Sequence, residues 1–73
     1  MTFIDRIIGL ERMPSSRNGN PRFRVSFADH CSAPTEVDGS VAYGIENREL
    51  RESPVEVTLT SRGHVSYLKA VKS

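Results

Sequence analysis

The one place in this chain where a nucleophile stands beside a base is Asp29-His30-Cys31-Ser32. A thiol is activated when an imidazole takes its proton, which needs the two side chains within hydrogen-bond reach. Neighbours on an extended segment point to opposite sides, so His30 does not reach Cys31, and the stretch reads as a turn leaving a strand. One cysteine and two well-separated histidines, His30 and His64, make no zinc set. Nucleophile, base and orienting group are never all present together. No catalytic, cofactor-binding or metal-binding residue is therefore assigned, and the chain is read as non-enzymatic.

Binding chemistry is better represented. Pro14-Ser15-Ser16-Arg17-Asn18-Gly19-Asn20-Pro21 is a polar loop bounded by prolines. Asn18-Gly19 supplies positive φ, and successive backbone N–H groups in such a loop can form an anion-binding nest. Arg17, Asn18, Asn20 and Arg22 are accordingly contact residues for a phosphate or a partner. The same composition also describes a long hairpin tip that only solvates itself. Arg22 and Arg24 stand two apart on the outward side of a strand, where they could track a phosphate backbone or pair with Glu11, Glu36 or Glu56 across the sheet. Arg62 at a turn and Lys69 near the end complete the set.

The element that positions most of these groups is the hairpin Pro54 to Val71. Val55, Val57 and Leu59 alternate with Glu56, Thr58 and Thr60, the period-2 pattern of a half-buried strand. A three-residue loop, Ser61-Arg62-Gly63, pairs Leu59 with Val65 and Val57 with Tyr67 and requires Gly63 in the left-handed conformation. A two-residue loop would put the returning strand on the wrong parity. Arg62 then occupies an exposed tip.

Residues 3 to 13 fit either a helix, with Thr2 and Asp5 as a capping box and Phe3, Ile4, Ile7 and Ile8 at helical spacing, or a strand. The strand is favoured, because Gly9 in mid-helix costs about 1 kcal/mol relative to Ala. In a strand Gly9 marks a bulge or bend. Phe23, Val25 and Phe27 alternate with Arg22, Arg24 and Ser26 as a second strand, and Pro34-Thr35-Glu36-Val37 forms a short third. After it, Asp38 as N-cap, Val41 and Ile45 four apart, and Asn47 as C-cap predict one helical or 3₁₀ turn plugging the end of the core. Alternation of Val41, Tyr43 and Ile45 leaves a further strand open. Tyr43 is read as an end-of-core aromatic, and residues 48 to 53 as a solvated connection anchored by Leu50.

Seventy-three residues make one domain, and a chain of this size buries only about 60% of the surface its unfolded form exposes. With 37% apolar and 26% charged residues it is globular, without a run that would span a membrane. Asp5 and Arg6 interrupt the apolar opening, which breaks a signal-peptide pattern, and a lone Cys31 fits a reducing compartment; a cytoplasmic protein is expected. The net charge of +1 conceals a segregation. Residues 1 to 27 carry five arginines against Asp5 and Glu11, residues 28 to 53 carry six carboxylates against Arg48 and Arg51, and the last segment carries Arg62, Lys69 and Lys72 against Glu56.

The summed order predicts a mainly β fold, a small five-stranded barrel of OB or SH3-like type with one short helical turn. The runs S-S-R-N-G-N-P-R-F-R-V at 15 to 25 and V-E-V-T-L-T-S-R-G-H-V at 55 to 65 resemble short uncharacterised proteins encoded by phages of mycobacteria and related actinobacteria. The resemblance implies a setting, a small accessory protein made in the cytoplasm of an infected bacterium, and no activity or catalytic residues. Two functions are expected to compete. One is a protein-interaction module that binds a host or phage protein, or a second copy of itself, through a sheet edge or the acidic 46 to 52 segment. The other is a nucleic-acid-binding barrel that uses the basic loop and the Arg22/Arg24 face.

Overall fold

The computed structural model describes residues 1–71. Its strands are β1 (Thr2–Asp5), β2 (Ile7–Met13), β3 (Arg22–Phe27), β4 (Ala33–Pro34), β5 (Val55–Leu59) and β6 (Val65–Ala70), with a 3₁₀ turn over Ser40–Tyr43 and a short helix α1 over Arg48–Glu52. The molecule is mainly β, in two three-stranded antiparallel sheets ordered β1-β5-β6 and β2-β3-β4.

The N-terminal stretch is extended, divided into β1 and β2 at Arg6. The strand reading of residues 3 to 13 therefore holds. The β2–β3 register passes from Ile7 opposite Phe27 to Gly9 opposite Ser26, so Ile8 is the extra residue of a bulge beside Gly9. Between the sheets lies the core: Ile7, Phe23, Val25, Phe27 and Ala33 from one, and Val55, Val57 and Val65 from the other. Ala42 and Ile45 close it from the connecting segment, and Leu50 packs at its margin as expected. Thr35 is fully buried among these apolar groups. Its hydroxyl accepts the Phe23 N–H at 3.1 Å while its own N–H donates to the Phe23 carbonyl at 2.8 Å, so the polar group is satisfied where it is buried. Thr35 also bridges Val65 in parallel, and the Glu36 N–H donates to the Val65 carbonyl, which joins the two sheets at this end.

Several local expectations are corrected. Leu59 does face Val65, and Gly63 has φ of 79° in the three-residue loop. The next pairs, however, are Thr58 with Tyr67 and Val57 with Leu68, because Ser66 is an extra residue and its hydroxyl donates to the Thr58 carbonyl. Beyond that bulge the parity of β6 is reversed, and Tyr67 stands in solvent while Leu68 turns inward. Asp38 is not an N-cap: it has φ of 57°, Gly39 precedes the 3₁₀ turn, and the Asp38 side chain serves the loop before β3. Asn47 is not a C-cap but the N-cap of α1, its side chain accepting the Glu49 N–H at 2.9 Å, so that residues 48–52 form a helix where a plain connection was expected. Tyr43 is exposed rather than at the edge of the core, and its hydroxyl donates to the Asn20 side-chain carbonyl.

Candidate interaction surface

The loop before β3 folds around a carboxylate. Ser16 Oγ donates to Asp38 Oδ1 at 2.5 Å, Asn20 Nδ2 to the same oxygen at 2.7 Å, and Asn18 Nδ2 to Oδ2 at 2.9 Å. These hydrogen bonds hold the Asp38 carboxyl below its ordinary value, outweighing partial burial, and the Arg22 charge adds to them. Asn18 and Asn20, expected as contact residues, thus spend their donors on Asp38. Arg17 remains exposed at the loop tip.

The other predicted contact residues are dispersed. Arg22 is half-buried, and its Nη2 donates to the Thr35 carbonyl at 3.3 Å. Arg24 is exposed on the outer face of β3 opposite Glu11, and Lys69 on the outer face of β6 opposite Glu56, in the other sheet. Arg62 is exposed at the hairpin tip. The structure brings Arg22 toward Asp38 but does not gather Arg24, Arg62 and Lys69 on one sheet face.

Both histidines face carboxylates that lie far away in sequence. His30 Nδ1 sits 2.6 Å from Asp5 Oδ2, and the Asp5 side chain is only 2% exposed. Asp5 also accepts the Arg6 N–H at 2.6 Å and the Asp29 N–H at 2.9 Å. Burial pushes this carboxyl up, but the hydrogen bonds from His30 and the two backbone groups prevail and hold it below its ordinary value. The His30 ring stacks on Phe3 with 3.9 Å between centroids, and Phe3 meets Phe27 edge to face at 5.4 Å. His64 Nδ1 lies 3.4 Å from Glu36 Oε1. Burial likewise raises the Glu36 carboxyl, and bonds from His64, the Val37 N–H and Thr60 lower it overall. The Asp5–His30 pair was not foreseen, because its partners lie 25 residues apart. Cys31 is free and exposed.

The N-terminal strands leave the most apolar surface in water. Met1, Ile4 and Ile8 are 78%, 58% and 63% exposed. Ile4 shares the outer face of its sheet with Tyr67, Ile4 in the row Ile4–Glu56–Lys69 and Tyr67 in the adjacent row Thr2–Thr58–Tyr67. Strand β2 is laddered to β3 alone and forms the edge of its sheet. Phe23 uses both its N–H and its carbonyl on Thr35, away from β2. In an antiparallel pair the residue opposite such a position also turns its backbone groups away, so the N–H and C=O of Arg12, and in the same phase those of Leu10, face the free edge. Helix α1 approaches β2, while Ile8, Glu11 and Arg12 stay exposed.

No family model, curated protein or solved structure matches this chain.

Proposed function

We propose that this protein is a small non-enzymatic interaction module that binds an extended segment of another protein along the free edge of β2. The observation that carries the reading is that edge itself: outward-facing backbone groups at Leu10 and Arg12, flanked by the bulged, solvent-exposed Ile8. An added strand takes its affinity from the main-chain hydrogen bonds and its specificity from the flanking side chains. The resemblance to actinobacteriophage proteins supplies the setting, the cytoplasm of an infected cell with a host or phage protein as partner. Replacing Arg12 with Pro removes an N–H that serves no bond to β3, so the fold is expected to survive. A protein that co-purifies stoichiometrically with the wild type should be lost from Arg12→Pro and from Ile8→Lys; equal recovery with all three would overturn the reading.

We further propose that the two sheets are parts of one five-stranded barrel of OB type. With Arg6 alone between them, β1 and β2 act as one long strand that meets β5 with its first half and β3 with its second, and the Thr35–Val65 bridge links the third and fifth strands. This supports the strand order of that Greek-key barrel.

A second reading, nucleic-acid binding, rests on Arg24, which is exposed on β3 and makes no ion pair among the described residues. It predicts micromolar binding to labelled single-stranded or duplex DNA at low salt, weakening steeply with salt and with Arg22→Ala plus Arg24→Ala, because released counterions set that slope. Absence of binding at low salt removes this reading.

A further inference from the structure

The turn from Ala28 to Ser32 is exposed along its whole length, yet it is tied to the N-terminal strand by several bonds that converge on one place. The Ala28 N–H donates to the Arg6 carbonyl at 3.0 Å, and the Asp29 N–H and His30 Nδ1 both reach Asp5 Oδ2. His30 lies flat on Phe3, whose ring edge meets Phe27. One buried carboxylate thus secures a solvent-exposed segment across an aromatic pair.

We propose that Ala28–Ser32 is a strap, latched over Phe3 by Asp5 and released by acid while the rest of the sheets stays folded. Asp5 from β1, Arg6 between β1 and β2, and Asp29 and His30 from the strap itself are the titratable and charged groups around the latch. With Asp5 ionised, all its contacts are donors to a carboxylate, and His30 carries its proton on Nδ1 in either charge state. Protonation of Asp5 puts a donor where only donors point, and the strap loses its anchor. The folded carboxyl lies below its ordinary value of 3.8, so the latch is complete above that value and fails as pH falls through the lowered one. The Glu36–His64 pair is longer and its carboxylate is more exposed, and it serves as an internal comparison. Release uncovers Phe3 on the face of β1 opposite Ile4 and so adds apolar surface to the N-terminal strands; only the use of that surface by a partner rests on the proposed function.

Proton NMR on the full chain tests the latch without a partner. Stacking on Phe3 shifts the His30 ring protons upfield. That shift should collapse on acidification, together with an approximately tenfold or larger loss of Asp29 amide protection, while Val25 and Val57 amides keep theirs. Asp5→Asn should show the released signature already at neutral pH. Should that buried change prevent folding, His30→Gln, read at the Asp29 amide, should retain the tether at Asp29 with its acid sensitivity while losing the ring signal. Simultaneous loss of the His30 shift and of the Val25 and Val57 amides, or an Asp29 amide in His30→Gln indifferent to acid, would overturn the proposal.

Discussion

At the scale of single residues, three carboxylates are committed to local architecture: Asp5 to the strap, Glu36 to His64, and Asp38 to the loop before β3. All three are held below their ordinary values of 3.8, 4.5 and 3.8. A group with a depressed folded pKa binds fewer protons folded than unfolded, so its contribution is complete above the unfolded pKa and disappears as pH falls through the folded one. Urea-unfolding midpoints are therefore expected to be flat around neutrality and to drop from about pH 5 toward about pH 3, with a smaller drop in Asp38→Asn. Gly63 gives a sharper number. Its φ of 79° is accompanied by open space where a Cβ would stand, so Gly63→Ala adds strain without a clash and should destabilise by about 1 kcal/mol in urea melts. The conformation of Gly63 was legible in the sequence because a three-residue hairpin loop demands it. The three carboxylate partnerships were not, since each joins residues at least 18 apart and no local rule selects them.

At the scale of elements, alternation identified β3, β5 and the start of β6, because one face of each is sealed in the core. It failed past Ser66: an extra residue there reverses the parity that the loop had set, and turn chemistry specifies only the first pair after the turn. The helix ends failed for a related reason. Asn and Asp suit an N-cap, a positive φ and a loop equally well, and only the tertiary partner decides which role Asp38 and Asn47 take. Ile45 was legible as apolar but not as central. It lies between the 3₁₀ turn and α1 with no exposed surface, so Ile45→Ala should cost about 2 to 5 kcal/mol by thermal or chemical unfolding. Thr35→Val keeps the shape but leaves the Phe23 N–H without its acceptor in a buried site, and about 1 to 3 kcal/mol should be lost. A cost near zero would mean that the N–H finds another partner.

At the scale of the whole molecule, folding sets cations of the two basic ends beside carboxylates without merging the charged blocks of the chain. Arg24 comes opposite Glu11 and Lys69 opposite Glu56, each pair within its own block, and Arg22 comes toward Asp38 of the acidic middle. The apolar surface behaves differently: Met1, Ile4 and Ile8 stay together in the first eight residues and in water. This contrast favours the N-terminal strand and the free edge of β2 as the binding surface. A photo-crosslinking residue placed at Ile8, and separately at Arg24, and activated in bacterial cells that make the protein reads the two surfaces side by side. A discrete protein adduct is expected from position 8, lost when Arg12→Pro blocks the edge, and none of that size from position 24. Nucleic-acid adducts from position 24, with no protein adduct from position 8, would contradict it.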